Sequence, residues 1–287
     1  MNMISNRMPF SILMKRISLL ILSLFTVGCG GGSPTPVSPP PISPPVALQS
    51  PGGQWLGFDS QSRLVNLLVS ESGDVRGFIG LGTAMEPPAF TTGTVSVSNG
   101  DAISGVMRGQ DLLSFPPVVL PGGLPAPNLY SCSISGTVTE RASMNVQIAC
   151  SDDTSLVYDE ALVLTPQAGY LQASSLSAIA GNYTLSTNPA TNILNVAEDG
   201  TVFGMFDNGP TCTVNGTVSI IDSRYSLLDV SWTLSFCTDP IGFAEGGEYN
   251  GFAMPSPDPG APDSYYFLLI RELPDSLSLI SVIYDPT

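Results

Sequence analysis

The chain has 287 residues, no histidine, and nine Lys and Arg against 24 Asp and Glu, which gives a net charge of −15. The absence of histidine excludes Ser-His-Asp and Cys-His catalysis and histidine-bearing zinc sites, so we expect no enzyme, no cofactor and no metal. The acidic balance disfavours nucleic acid and favours basic partners.

The N-terminus has the layout of a secretion signal, which we assign to residues 1–28. Arg7, Lys15 and Arg16 precede an uncharged apolar run at 17–27, and a run of this length is too short to span a bilayer. Translation could begin at Met1 or at Met14, which lies directly before Lys15 and Arg16.

The signal ends on the tetrapeptide TVGC, which resembles the lipobox of bacterial lipoproteins. The resemblance implies that Cys29 carries the lipid, palmitate among its acyl chains, and becomes the new N-terminus. Gly30 resembles the pattern of lipoproteins that are sent to the outer membrane, although the side that the protein faces stays open. The alternative is an ordinary signal peptide cleaved nearby, with Cys29 incidental.

Residues 29–51 are predicted to be a lipidated cysteine followed by a disordered tether. From residue 30 the segment has eight prolines, three glycines and no charged side chain. Such a composition cannot pack a core and favours extended polyproline II. Only six arginines remain after Cys29 against all 24 carboxylates, so the processed chain would carry a net charge of −18.

Beyond the tether the sequence repeats itself, which predicts two related domains. Residues 71–78 match 198–205, and the motif SCSISGTV at 131–138 matches TCTVNGTV at 211–218. The second copy has Asp199-Gly200, then Cys212 and Gly216, then Tyr249 and Gly251. In this order it resembles, over most of residues 176–260, repeat domains of uncharacterised bacterial envelope lipoproteins, a likeness that implies a fold without an activity. The predicted divisions are a first domain at 52–166 with an inserted apolar loop at 81–130, a linker at 167–175 and a second domain at 176–287.

Apolar and polar residues alternate through both copies, which indicates strands with one solvated face. No segment after residue 52 has a helical stripe, so the fold class is all-β, with two tandem antiparallel domains. Because closure removes exposed sheet edges, we favour two small lipocalin-like barrels over sandwiches.

Four cysteines remain if Cys29 is lipidated, an even number suited to an oxidising compartment. They allow three pairings. Local spacing favours Cys132–Cys150 and Cys212–Cys237. Cys237 has the wrong parity for an inward side chain on the preceding strand, so a bulge or a strand end must turn it inward.

These features favour a membrane-anchored, non-catalytic binding module of the cell envelope. Its partner would be a basic protein or a small apolar ligand. Candidate contacts are Phe115, Val119 and Leu124 in the uncharged loop 112–130, and Tyr249 in a glycine-rich hairpin. The loop could instead cover a barrel, and the hairpin aromatics could pack inward. Two further functions stay open: an acidic inhibitor or immunity lipoprotein against a basic hydrolase such as lysozyme, and a structural or adhesive envelope protein.

Overall fold

Antiparallel strands make up most of the described chain. The computed structural model describes residues 47–81, 89–111, 129–152, 155–185, 192–207, 211–238, 247–256, 264–274 and 276–287. The strands are β1 (Gly53–Phe58), β2 (Leu64–Val69), β3 (Asp74–Leu81), β4 (Ala89–Ser98), β5 (Ala102–Asp111), β6 (Leu129–Thr139), β7 (Ser143–Ser151), β8 (Leu156–Pro166), β9 (Gly181–Leu185), β10 (Ile193–Val196), β11 (Thr201–Asp207), β12 (Thr211–Ile220), β13 (Leu228–Ser235), β14 (Glu248–Pro255), β15 (Tyr265–Leu273) and β16 (Ser276–Pro286). Between β8 and β9 lie a 3-10 turn (Ala168–Leu171) and the short helix α1 (Leu176–Ile179).

The strands form two closed eight-stranded barrels in which each strand pairs with its neighbours in the chain. The first barrel closes where Leu56 of β1 pairs with Thr165 of β8, and the second where Tyr284 of β16 pairs with Leu185 of β9. The prediction of two all-β domains built as small barrels is therefore confirmed. Closure pairs the edge strands that a sandwich would leave exposed.

Side chains fill the interior of both barrels. An eight-stranded barrel is just wide enough for inward side chains to meet across its axis. Trp55 lies fully buried in the first barrel. In the second, the rings of Trp232 and Phe267 lie 5.1 Å apart, and Tyr284 packs edge-on against both.

An equivalent hydrogen bond from a side chain to the backbone occurs at the first strand of both barrels. Trp55 Nε1 donates to the carbonyl of Pro51 at 2.8 Å, and the Tyr183 hydroxyl donates to the carbonyl of Ile179 at 2.5 Å. In each case a buried aromatic residue of the first strand fastens the backbone four residues before it. This contact closes the end of the barrel at which the chain enters.

A tight turn repeats in the same position of each barrel and fixes which strands correspond. Gly73, between β2 and β3, and Gly200, between β10 and β11, have φ angles of +96° and +85°, a region that favours glycine. Their carbonyls accept from the N–H groups of Val95 on β4 and Val218 on β12, at 2.8 and 2.7 Å. The match of 71–78 with 198–205 thus joins equivalent turns, and β4 corresponds to β12.

The second predicted match does not join equivalent strands. Residues 131–138 lie in β6, the sixth strand of the first barrel, whereas 211–218 lie in β12, the fourth strand of the second. The shared tripeptide GTV also occurs at 93–95 in β4. The motif is therefore a feature of individual hairpins, and its recurrence does not identify equivalent strands of the two barrels. The predicted inserted loop at 81–130 is also corrected, because β4 and β5, which form a regular hairpin of the first barrel, lie within that range.

The barrels lie side by side with corresponding ends together. We call the end at which β1 and β9 begin the proximal end, and the opposite end the distal end. Near the proximal ends, the guanidinium of Arg141 lies 4.3 Å from the ring of Tyr225 in the other barrel. Toward the distal ends, Arg108 Nη2 donates to the carbonyl of Pro274 at 3.1 Å.

An apolar layer that was not predicted from the sequence joins the barrels. It consists of side chains that point outward from β2–β4 of the first barrel and from β14–β16 of the second, together with Tyr170 and Leu227. We call this layer the inter-barrel core. Its buried members are Leu68, Phe78, Phe90, Tyr170, Leu227, Phe252, Met254, Leu268, Ile270, Leu277 and Leu279.

Both predicted disulfides are present. Cys132 and Cys150 face each other across β6 and β7, and Cys212 bonds to Cys237. As the parity argument required, β13 ends before Cys237, and Phe236 takes a φ of +54° that changes the direction of the chain. Both bonds lie near the distal ends of their barrels.

Candidate binding site at the junction of the barrels

Two clefts flank the inter-barrel core. The first, the junction cleft, has a volume of about 400 Å³ and lies between β3 of the first barrel and β13–β14 of the second. The second cleft, of about 520 Å³, continues across β4 and β5. Asp74 and Arg76 line both, so Arg76 stands where the two clefts meet.

Arg76 points outward from β3 into the space between the barrels. Its Nη1 donates to the carbonyl of Val75 at 2.8 Å, and its guanidinium carbon lies 5.9 Å from the centre of the Phe252 ring. Its Nε is buried without a hydrogen-bond acceptor. The half-buried guanidinium lines both clefts and can donate hydrogen bonds to a bound molecule.

Three carboxylates surround Arg76 without forming close ion pairs. Burial lowers the pKa of Arg76, whereas attraction from Glu272, Asp74 and Asp229 acts in the opposite direction. Burial and then repulsion from Asp74 raise the pKa of Asp229, and Arg76 opposes that rise. The junction cleft is therefore lined by one cation, Arg76, and by two carboxylates, Asp74 of the first barrel and Asp229 of the second, and Glu272 lines the second cleft.

Serine hydroxyls position the carboxylate of Asp74. Its Oδ2 accepts from the hydroxyl of Ser72 at 2.8 Å and from that of Ser70 at 3.3 Å. Across the junction cleft lie Ser219 and Asn250. Hydroxyl, amide, carboxylate and guanidinium groups beside an aromatic ring form a surface that can hydrogen-bond a polar molecule.

The described residues contain no cluster of three His, Cys, Asp or Glu side chains that could hold a metal ion. Within the described ranges, no helix combines the length and the apolarity that a membrane span requires.

The structure places the predicted site residues in different surroundings. Tyr249 points inward from β14 and is fully buried in the core of the second barrel, so it presents no surface to a partner. Phe252 of the same hairpin packs in the inter-barrel core. Cys29, the signal segment, Phe115, Val119 and Leu124 lie outside the described residues.

Sequence reasoning missed Arg76, Asp229 and Asn250. A usable signal lies in the repeat itself, because Arg76 occupies the position that Phe203 holds in the second copy. Within an otherwise shared segment, a charged residue in one copy and an aromatic residue in the other indicate that this surface has a different role in each barrel.

No protein-family model, no curated protein and no solved structure matches this chain.

Proposed function

We propose that this protein is a lipid-anchored envelope protein that binds a partner without catalysis and uses the junction cleft as its contact site. The observation that carries the proposal is a polar cleft whose two walls belong to different barrels. Joined barrels can hold such walls at a fixed separation, and preorganisation of this kind lowers the cost of binding.

The position of the N-terminal segment supports anchoring at the proximal end. Gln49 donates its N–H to the carbonyl of Gly100 at 2.8 Å, and its Oε1 accepts from the N–H of Glu140 at 3.0 Å. The described part of the chain therefore enters the first barrel at its proximal end. Acyl chains on Cys29, bound in the outer membrane, would give a durable attachment, since burial contributes about 0.8 kcal/mol per CH₂ group.

A non-catalytic role agrees with the chemistry that is present. The chain has no histidine, and its only lysine precedes Cys29, so the processed protein has neither a histidine base nor a lysine nucleophile. The proposal needs only hydrogen bonding and charge.

A second candidate function is inhibition of a basic envelope hydrolase. The observation that favours it is the pair of carboxylates, Asp74 and Asp229, that lines one cleft. Burial, and then repulsion from Asp74, raise the pKa of Asp229, and a Lys or Arg side chain of a partner would relieve the repulsion. Inhibition of this kind should be strong at low salt and weaken as the salt concentration rises.

The test is capture of envelope components by the detergent-solubilised full chain, with captured proteins and glycans identified by mass spectrometry. Asp229→Ala and Asn250→Ala should both lose a component that the unmodified chain retains. Asp199→Ala, a change in an exposed turn of the second barrel, is the matched control and should retain it. Equal capture by all four chains would refute the cleft as the contact site, and inhibition assays with lysozyme at two salt concentrations decide the second candidate.

A further inference from the structure

The outer surface of the second barrel carries a face without charge on β9–β13. Its outward residues form two rows, in which each residue pairs with the next one across the strands. The first row consists of Asn182, Asn195, Phe203, Asn215 and Thr233. The second row consists of Thr184, Ile193, Met205, Thr213 and Ser235. We call these two rows the uncharged face, and every member is exposed or half-buried.

The uncharged face lies on the side of the second barrel that is opposite to the first barrel. β11 is four strands away from β15 in either direction around the closed sheet, and the inter-barrel core involves β14–β16. The first row ends beside Glu248 of β14, and the second row begins beside Asp285 of β16. The face between these two charges therefore stays accessible while the barrels are packed together.

The corresponding face of the first barrel has a different composition and a different use. The equivalent glycine turns align Leu68 with Asn195, and Phe90 with Thr213. Leu68 and Phe90 are buried in the inter-barrel core. Because an amide and a hydroxyl stand where the first barrel has apolar contact residues, the uncharged face is not a second version of that contact. It is suited to a partner that forms hydrogen bonds.

Phe203 stands in the first row between two amides. Its side chain is 53% exposed, and its cross-strand partners are Asn195 and Asn215. Neighbouring strands lie roughly 4.8 Å apart, so an amide lies one strand away on each side of the ring. Asn195 Nδ2 donates to Asn182 Oδ1 at 2.7 Å, which orients both side chains. Each amide has two donor hydrogens and an acceptor oxygen, so both keep hydrogen-bonding capacity beyond this bond.

From these observations, we propose that the uncharged face binds a neutral polysaccharide. A sugar ring has an apolar side of C–H groups that can pack on the Phe203 ring, and its hydroxyls can donate to and accept from the flanking amides. Amides that recur across β9–β12 suit a polymer of repeated sugar units. The net charge of −15 disfavours a polyanion, and a protein partner would favour a more apolar centre than a ring flanked by amides. The proposal requires nothing of the junction cleft.

The test is biolayer interferometry of the detergent-solubilised full chain on immobilised dextran, hydroxyethyl cellulose and galactomannan. The unmodified chain should bind at least one of them, equally at low and at high salt, because no ion pair contributes. Phe203→Ala should weaken binding about tenfold or more, as expected for the loss of an aromatic anchor. Asn215→Ala should weaken it about two- to tenfold through the loss of hydrogen bonds. Phe203→Tyr keeps the ring and should keep most of the affinity.

Phe58→Ala is the matched control, because it removes a ring that is 66% exposed on β1 of the first barrel. It should bind as the unmodified chain does, and all variants should unfold at the temperature of the unmodified chain. Absence of binding to all three polysaccharides, loss of binding at high salt, or an equal loss in Phe58→Ala would each overturn the proposal. An envelope protein whose capture depends on Phe203, while no polysaccharide binds, would overturn it in favour of a protein contact.

Discussion

At the scale of single residues, Glu71 connects three separate segments of the described chain. Its Oε1 accepts from the Tyr170 hydroxyl at 2.7 Å and from Arg141 Nη2 at 3.2 Å, and its other oxygen accepts from the Ser50 hydroxyl. One carboxylate in the β2–β3 turn thus holds the N-terminal segment, the β6–β7 turn and the segment between the barrels.

Replacement of Glu71 by alanine should lower the free energy of unfolding by about 1–3 kcal/mol, because the Tyr170 hydroxyl loses its acceptor and Arg141 loses one of its partners. Denaturant unfolding measures the change. Glu198 occupies the equivalent turn in the second barrel and is exposed, so Glu198→Ala should change stability by less than about 0.5 kcal/mol. Equal effects of the two substitutions would contradict the role given to Glu71.

Buried tyrosines predict a loss of stability at alkaline pH. Burial, assisted by the neighbouring Tyr265, raises the pKa of Tyr183 to about 12, and burial raises that of Tyr266 to about 12. Unfolded tyrosines ionise near pH 10. The folded chain therefore keeps protons that the unfolded chain releases, and stability present below pH 10 should fall as pH rises toward 12.

Absorbance of tyrosinate during a pH titration, together with unfolding at each pH, measures this effect. Tyr183→Phe should reduce the slope of stability against pH between 10 and 12, by at most about 1.4 kcal/mol per pH unit. A slope that is unchanged in Tyr183→Phe would show that this hydroxyl titrates normally in the folded protein.

At the scale of elements, the turns at Gly73 and Gly200 determine how the β2–β3 and β10–β11 hairpins pack against the strand that follows each of them. A Cβ atom on Gly73 would lie 2.0 Å from the carbonyl oxygen of Val95, and one on Gly200 would lie 2.2 Å from that of Val218. Both glycines also have left-handed φ angles. We therefore expect Gly73→Ala and Gly200→Ala to destabilise the protein by similar amounts, at least about 2 kcal/mol each.

Gly169 provides the control for this pair. A Cβ atom there would meet nothing within 4 Å, so Gly169→Ala should leave the urea midpoint nearly unchanged. A small effect of Gly73→Ala beside a large effect of Gly200→Ala would show that the two turns are not equivalent.

The same elements explain which parts of the fold the sequence could predict. Alternation in β6 and β12 predicts barrel strands because their outer faces meet water. Residues 267–270, in contrast, are four consecutive apolar residues, and all four are buried, two inside the second barrel and two in the inter-barrel core. Such a run indicates burial on both faces of a strand. It does not show which part of the protein covers the outer face, so the inter-barrel contact could not be predicted from it.

The repeat could predict two copies but not their full alignment. The tripeptide GTV recurs in β4, β6 and β12 because each strand meets a turn in the same way: the N–H groups of Val95, Val138 and Val218 all donate to turn carbonyls. A short motif tied to hairpin geometry can match at several registers. The junction cleft escaped prediction because Asp74 and Asp229 are distant in sequence and come together only when the barrels pack.

At the scale of the whole molecule, the inter-barrel core should make the two barrels unfold together. Each barrel contains one tryptophan, Trp55 or Trp232, and the chain has only these two. Trp232→Phe and Trp55→Phe variants therefore report separately on the first and second barrel by fluorescence. In otherwise unmodified chains, the two reporters should give coincident unfolding midpoints.

Leu268→Ala in these reporter chains should separate the midpoints, because Leu268 is fully buried between the barrels and its truncation costs about 2–5 kcal/mol. Val106 is 67% exposed, so Val106→Ala should leave the midpoints together. Separate midpoints before any change at Leu268 would show that the barrels are thermodynamically independent.

The central proposal for the whole molecule is that a lipid on Cys29 holds the pair of barrels at a membrane. The direct measurement is mass spectrometry of the N-terminal peptide of the full-length protein, expressed in a bacterium with a complete lipoprotein pathway. We predict a peptide that begins at Cys29 and carries a diacylglyceryl thioether and an amide-linked acyl chain. A free Cys29 thiol, or a mature N-terminus beyond that residue, would contradict it.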